Sequence, residues 1–155
     1  MKLEQRLRVS GNRAQVWDLL MDMARVGRCF PGAEQVTMVD QDNYQGAVRF
    51  RVGPASLNLS GKIQVLERDR DRWHAAMRLD GADRRVGGAV HANMAMDLVE
   101  LAPQETEVVV TSDISFLGKL GELGELGQPV IRKKADSVIQ EFARNLGREL
   151  AASAP

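Results

Sequence analysis

The chain has 155 residues, with 21 basic and 21 acidic side chains and a formal net charge of zero. That length suits one domain, and the balanced charge excludes the basic surface that nucleic-acid binding requires. A single cysteine, Cys29, excludes an internal disulfide, and the spacing of the two histidines predicts no metal site. The longest apolar run is far shorter than the roughly 20 residues that cross a bilayer, which predicts a cytoplasmic protein.

The N-terminal segment predicts one strand and two short helices. Residues 3 to 9 alternate between apolar and polar or charged side chains, the period of a half-buried strand. Apolar residues then recur at helical spacing from Ala14 to Met23, after Asn12, which is a suitable N-cap. A second short helix is predicted through Arg28. Both helices are short enough to need a larger partner to pack on.

Residues 35 to 116 predict an antiparallel meander. Five segments alternate between apolar and polar residues, at 44–52, 57–65, 73–79, 90–98 and 108–116, and polar turns separate them. A strand, two short helices, this meander and a final helix together predict an α+β domain over residues 1–150. Its curved sheet of about six or seven strands wraps around the C-terminal helix, and residues 151–155 are predicted to be a short disordered tail.

The C-terminal segment divides at Pro129 into a regular helix and a preceding hinge. From Pro129 to Leu150, apolar residues recur at steps of three and four, which predicts one amphipathic helix of roughly 33 Å. Before it, leucine–glycine pairs repeat every three residues, and each glycine costs a helix roughly 1 kcal/mol relative to alanine. We predict a weakly ordered hinge whose partly exposed leucines gate a cavity and face a membrane: Leu117, Leu120, Leu123 and Leu126. The alternative is a frayed helix start packed on the rim of the sheet.

The apolar faces of the strands favour a roomy interior. They carry many small or pliable residues: Gly46, Ala55, Gly61, Ala75, Met77, Gly88, Ala92, Met94 and Met96. An unfilled cavity costs stability, so such a composition suggests a bound ligand. The alternative is that larger side chains interdigitate with these. The predicted lining of the cavity is Phe50, Leu57, Leu59, Ile63, Trp73, Met77, Met94, Met96, Val110, Phe116, Val138 and Phe142.

Catalytic residues are not evident in this pattern. Strand alternation predicts that four titratable side chains point away from the cavity: His74, His91, Asp97 and Asp113. Gln5 is predicted to point inward, as is Ser112, but neither is a general base at neutral pH. Cys29 lies between apolar and turn residues, which favours a buried structural thiol. We therefore predict no catalytic residue. A β-bulge in one of these strands would reverse the inward and outward directions of the side chains beyond it.

Several motifs resemble those of a known family. They are Cys29-Phe30-Pro31-Gly32-Ala33-Glu34 after the short helices, Tyr44-Gln45-Gly46, Val52-Gly53-Pro54 leading to Leu59-Ser60-Gly61-Lys62, and Gly118-Lys119-Leu120 before the terminal helix. Together they resemble the CoxG family of carbon monoxide dehydrogenase subunits, a branch of the START-like, or SRPBCC, helix-grip superfamily. The resemblance covers nearly the whole chain. Phe30 departs from it, because an aliphatic residue is expected there.

The resemblance implies a non-catalytic accessory protein. It implies a link between a molybdenum-containing carbon monoxide dehydrogenase, or a related hydroxylase, and the inner face of the cell membrane. It also implies an apolar ligand in the cavity, either a lipid or a quinone such as menaquinone or ubiquinone. The alternative from another class is a polyketide cyclase or hydratase that acts on an aromatic or polycyclic substrate. A cluster of inward-facing titratable residues would favour that enzyme. A third option is a docking subunit that binds no ligand.

Overall fold

The computed structural model describes residues 1–121 and 127–153, and of Phe50 it describes the backbone only. In chain order the elements are β1 (Lys2–Ser10), α1 (Arg13–Met21), α2 (Met23–Cys29), β2 (Ala33–Met38), β3 (Asn43–Val52), β4 (Ala55–Asp69), β5 (His74–Asp83), β6 (Gly88–Ala102), β7 (Glu105–Gly118) and α3 (Gln128–Ser153). The predicted strand, helix pair, meander and final helix are confirmed.

The strands form one antiparallel sheet in the order β1-β7-β6-β5-β4-β3-β2. Consecutive strands from β2 to β7 are neighbours, as short polar turns require. The first strand instead pairs with the last, from Lys2 opposite Asp113 to Ser10 opposite Glu105. This pairing closes the N-terminus onto the end of the meander and gives the sheet seven strands.

Side-chain caps and ion pairs hold the short helices against α3. Asn12 forms a capping box with Gln15 at the start of α1, and Asp22 accepts the amide of Arg25 at the start of α2. Arg25 and Arg28 then both contact one carboxylate, Glu149 of α3, at 3.1 and 3.0 Å. The hydrogen bonds from the two arginines lower the pKa of Glu149. The helix pair is thereby attached to the C-terminal half of α3.

A row of glycines lets the sheet bend across its middle strands. Gly46 of β3 lies opposite Gly61 of β4, which lies opposite Gly81 of β5. A Cβ atom on Gly61 would stand 1.8 Å from the carbonyl oxygen of Asp80, so only glycine fits this close approach. The three glycines therefore lie at a bend in the sheet, and this bend curves the concave face around α3.

Two apolar clusters fill the two ends of the concave face. The first contains α1, the C-terminal half of α3 and the sheet around β1: Leu7, Val9, Val16, Trp17, Leu19, Leu20, Cys29, Ala75, Met96, Leu98, Val108, Val110, Ile139, Phe142, Ala143 and Leu146. The second, beyond the glycine row, contains Val52, Leu57, Leu59, Leu120 and Ile131. The start of α3 therefore belongs to one cluster and its end to the other.

Helix α3 begins at the predicted place and ends later than predicted. Gly127 has a φ of +124°, and Pro129 occupies the first turn, where its missing amide hydrogen is not needed. At the other end the helix continues to Ser153, through three residues that were assigned to the tail. Arg25 donates to the Ser153 hydroxyl at 2.7 Å, which extends the helix. Within residues 1–121 and 127–153, no helix is long and apolar enough to cross a membrane.

Candidate functional site

The middle of the concave face carries apolar side chains that are neither buried nor fully exposed. Two rows run across β4 to β7 in register: Ile63, Leu79, Ala92 and Ile114, then Val65, Met77, Met94 and Ser112. All eight side chains are half-buried, although they point to the same side as the buried clusters. We call these eight residues the central face.

The next row along the same strands is fully packed. It contains Ala75, Met96, Val110 and Gln5, and all four are buried. Helix α3 shows the same change along its length, because Leu146 and Phe142 are buried whereas Val138 and Ala135 are half-buried. The inward-facing apolar side chains of the central face are therefore less completely covered than those of the neighbouring row.

One end of the central face opens to the surface beside the start of α3. A cleft of about 350 Å³ is lined by Met1, Ile114, Ser115, Phe116, Gly121 and Gln128. Ile114 belongs to the central face, so this cleft adjoins it. The terminal amino group of Met1 donates to the carbonyl oxygen of Ile114 at 2.7 Å, which holds the N-terminus at the opening.

The structure distributes the predicted cavity-lining residues over three places. Met96, Val110 and Phe142 are buried in the first cluster, and Trp73, Met77 and Met94 pack against it. Leu57 and Leu59 are buried in the second cluster, and Phe116 packs against it. Ile63 and Val138 are half-buried and outside both clusters. The side chain of Phe50 lies outside the described part of the chain. Five central-face residues are absent from the predicted lining: Val65, Leu79, Ala92, Ser112 and Ile114.

The glycines do not contribute the space that their composition suggested. A Cβ atom on Gly88 would stand 2.6 Å from Cγ of Leu120, and one on Gly46 would stand 3.3 Å from the Val36 side chain. With Gly61 closed by the backbone of Asp80, these positions are already filled by neighbours. The prediction that glycines line the cavity is therefore wrong for Gly46, Gly61 and Gly88.

The predicted gate leucines behave differently from one another. Leu117 is 47% exposed, as predicted, but Leu120 is only 1% exposed and is a core residue of the second cluster. The prediction that Leu120 is exposed is wrong, because the missing side chain of Gly88 makes room for it. Leu123 and Leu126 lie outside the described residues.

One inward-pointing carboxylate was missed. Asp83 has the inward parity of Ala75 and Met77, and its side chain is 2% exposed. Its oxygens accept the backbone amides of Asn58 at 3.0 Å and Arg85 at 3.0 Å. The Asn58 bond, followed by those from Val86 and Arg85, lowers the pKa of Asp83. This carboxylate is a fixed acceptor for the β5–β6 turn. The sequence signal that could have identified Asp83 is the alternation of β5, which gives Asp83 an inward direction if it is continued toward the turn.

Other polar groups lie where strand parity predicted them. Gln5 points inward and donates to Asp136 of α3 at 3.0 Å. On the outer face His74 Nδ1 lies 2.7 Å from Asp97, and His91 contacts Asp80. Burial raises the pKa of the Cys29 thiol, which lies 3.7 Å from the carbonyl oxygen of Asn145, so Cys29 is a structural residue. Within the described residues, no group of three metal-ligating side chains converges.

Trp73 closes the far end of the first cluster. Its ring meets Trp17 edge-on at 6.0 Å, and the Arg13 guanidinium lies 4.4 Å from its centre. The prediction that β5 begins at Trp73 is off by one residue, because Trp73 has a φ of +54° and ends the turn. This tryptophan therefore borders the packed end of the concave face, away from the central face.

Comparison with solved structures identifies the fold. A conserved protein from Geobacillus kaustophilus superposes with a TM-score of 0.85 at 20% identity, covering 99% of this chain and 97% of its own. A START superfamily protein from Mycobacterium smegmatis gives 0.71 at 10% identity, covering 99% of each chain. The ZhuI aromatase/cyclase from Streptomyces sp. R1128 gives 0.64 at 17% identity, covering 100% of this chain and 99% of its own. The fold is the START-like helix-grip fold.

Sequence comparison gives a more specific result. No curated protein sequence matches the chain. The sequence model of one family of carbon monoxide dehydrogenase subunits, CoxG, matches residues 6–151. The match spans both clusters, the central face and nearly all of α3. The chain belongs to the CoxG family.

Proposed function

We propose that this protein is a non-catalytic accessory protein that holds an apolar ligand, a quinone or a lipid, against the central face. In this role it links a carbon monoxide dehydrogenase-type molybdenum hydroxylase to the inner face of the cell membrane. The family's name motivates the partner enzyme. The ligand is inferred from this chain's own side chains.

The observation that carries the ligand proposal is the half-buried state of the central face. Seven of its eight side chains are apolar, and the exception, Ser112, is uncharged. Leaving inward-facing apolar surface in contact with water forfeits about 25 cal/mol per Å² that burial would provide. An apolar ligand regains that free energy on binding. Methionines suit such a surface because their flexible thioethers adapt to a ligand's shape.

The chemistry of the site argues against an enzyme. The rival function, a cyclase or hydratase, needs an acid or base that faces the substrate. Among the described residues, two carboxylates reach the concave face. Asp83 is buried and its oxygens are already engaged by backbone amides, whereas Asp136 of α3 is exposed and accepts the amide of Gln5. The lowered pKa of Asp83 keeps it ionised at neutral pH, which disfavours it as a general acid, and the amides that its oxygens accept disfavour it as a general base. The likeness to an aromatase/cyclase at 17% identity supports the fold alone.

Exposed apolar side chains beside the opening support contact with a membrane. Leu117 directly follows Phe116, which lines the opening, and is 47% exposed. Val130, two residues after Gln128 of the same lining, is also exposed. A ligand with an isoprenoid or acyl tail would pass between bilayer and protein at such a place without crossing water.

Extraction of the purified protein tests the ligand proposal. Organic extract analysed by mass spectrometry is expected to contain a quinone or lipid, and delipidated protein is expected to bind added menaquinone or ubiquinone. Ala92→Leu fills the central face and is expected to abolish binding. The matched control Ala89→Leu lies on the outer face of the same strand and is expected to bind normally. The proposal fails if neither quinone nor lipid binds the delipidated wild type.

Flotation with liposomes tests the membrane proposal separately. We expect the double variant Leu117→Ser with Val130→Ser to remain in the soluble fraction while the wild type floats. Val99→Ser removes a comparably exposed apolar side chain from β6 and is the control. Equal flotation of the wild type and the double variant would refute contact through this surface and leave the ligand proposal untouched.

A further inference from the structure

A second cleft lies away from the opening of the central face. It has a volume of about 490 Å³ and lies between the α1–α2 corner, the edge strand β2 and its neighbour β3. We call it the methionine cleft, and its lining is Asp18, Met21, Asp22, Met23, Ala24, Val36, Met38 and Tyr44. Its size falls within the roughly 300–1,000 Å³ of ligand pockets.

The methionine cleft continues into exposed apolar surface. Met38 is 69% exposed, and the adjacent Val39 is also exposed. Large side chains grouped in this way at the edge of a sheet are typical of an interaction site.

The charge at the methionine cleft is negative. Asp18 and Asp22 line it, and none of its eight lining residues, all within the described part of the chain, is basic. The nearby Arg25 is turned toward Glu149 and Ser153, and Arg68 pairs with Asp42. Asp18 makes no ion pair within residues 1–121 and 127–153, so its charge is available to a partner.

We propose that the methionine cleft binds a segment of another protein that presents apolar side chains flanked by lysine or arginine. Methionines adapt to apolar side chains of differing shape, and the two carboxylates select a positively charged flank. This site is separate from the ligand proposal, since it involves the β2 edge and not the half-buried rows. It gives the protein a docking surface for a partner chain that is independent of its ligand.

The same charge argues against other occupants. The cytoplasmic leaflet carries a negative surface potential, which would repel Asp18 and Asp22. A second copy of the chain would have to bring a basic apolar segment to the cleft. Charge complementarity therefore favours a cationic peptide over a membrane or a self-interaction.

Methyl labelling of methionine separates this site from the central face. Six of the chain's seven methionines divide between the two sites, since Met21, Met23 and Met38 line the methionine cleft and Met77, Met94 and Met96 lie along the concave face. The seventh, Met1, lines the opening beside the central face. The probe is a 16-residue amphipathic helix of leucine and lysine, titrated into protein with carbon-13 methionine methyl groups. We expect its binding to shift the signals of Met21, Met23 and Met38 while those of Met77, Met94 and Met96 stay in place.

Matched probes and variants test the charge and the apolar contact. A peptide with glutamate in place of each lysine is expected to produce no shift. Asp18→Lys and Met38→Ser are each expected to weaken binding of the lysine peptide about tenfold. Asp71→Lys, an equal charge change in the β4–β5 turn, and Val99→Ser on β6 are expected to leave binding unchanged. Both cleft changes alter exposed side chains, so the fold is expected to persist.

Four outcomes would overturn the proposal. They are equal binding of the lysine and glutamate peptides, shifts confined to the concave-face methionines, the same cleft shifts with vesicles of phosphatidylglycerol, and cleft shifts that depend on protein concentration without any peptide. The vesicle result would assign the cleft to a membrane, and the concentration result to a second copy. A quinone that shifts Met77 and Met94 would support the ligand proposal whichever result the peptide gives.

Discussion

Two neighbouring regions on the same face of the sheet differ in how completely their side chains are buried. The row of Ala75 and Met96 is sealed beneath α1 and the end of α3, where Leu146 is fully buried. The rows of Met94 and Ala92, one and two steps further along the same strands, remain half-buried, as does Val138 of α3. Strand alternation predicts the same inward orientation for all of these rows. The packed core and the candidate binding surface therefore differ in how far other elements cover their side chains.

The largest expected effect contrasts two residues of α3. Leu146→Ala is expected to reduce the free energy of unfolding by about 2–5 kcal/mol, because it leaves a cavity in a packed cluster. Val138→Ala is expected to cost less than about 1 kcal/mol, because Val138 is only half-buried and alanine favours the helix. Urea unfolding measures both values. Equal losses would mean that α3 is packed uniformly along the sheet.

A matched pair of substitutions, each of which replaces alanine by a larger side chain, sharpens the comparison. Ala75→Leu forces extra volume into the packed row and is expected to cost about 1–3 kcal/mol or more. Ala92→Leu is expected to cost less than about 1 kcal/mol, since the half-buried rows have room for it. Denaturant unfolding of both variants decides the point. A large cost for Ala92→Leu would indicate that the central face is filled.

Asp83 marks the polar end of the concave face and gives a pH signature. Its lowered pKa means that its contribution to stability is complete above the unfolded value of about 3.9 and is lost as the pH falls through the folded pKa. Asp83→Asn is therefore expected to lower the melting temperature at pH 7. The difference from wild type is expected to shrink below about pH 4. A difference in melting temperature that is the same at pH 7 and pH 3 would contradict this role.

The outer face provides the smallest effect and a control. His74 pairs with Asp97 and Glu67 on the convex side of the sheet. His74 is half-buried, but both carboxylates are about half exposed. Ion pairs of this kind at the surface contribute about 0–1 kcal/mol, so His74→Gln is expected to leave stability nearly unchanged. It is also expected to leave quinone binding unchanged, as measured by the same titration as the wild type. Loss of quinone binding in His74→Gln would undermine the assignment of the site to the concave face.

The sequence was sufficient for most of the fold. Alternation in the strands and three-and-four spacing in α3 are local signals, and they predicted the described elements within a few residues except for β2, which matches none of the predicted strand segments. The pairing of β1 with β7 places Gln5 inside, as strand parity required. The outward direction of His74 and His91 followed from the same parity, because the bulge in β4, between Val65 and Glu67, precedes these positions without disturbing β5 or β6.

What the sequence could not provide depends on contacts between distant segments. Leu120 is buried because Gly88, more than thirty residues earlier, leaves room for it. Gly46, Gly61 and Gly81 form a bend only once the strand register aligns them. The sequence did not identify Asp83 as a buried residue, because the residues around it have the polar composition of an exposed turn. The extent of the half-buried rows depends on how far α1 and α3 cover the sheet, which no local pattern specifies.

The most direct test of the central claim is a titration of delipidated protein, labelled at its methionine methyl groups, with a short-tailed ubiquinone or menaquinone. We predict saturable shifts of Met77 and Met94 and little change at Met21, Met23 and Met38. We also predict that Ala92→Leu removes those shifts. Unchanged Met77 and Met94 signals at saturating quinone would contradict the claim that the central face binds this ligand.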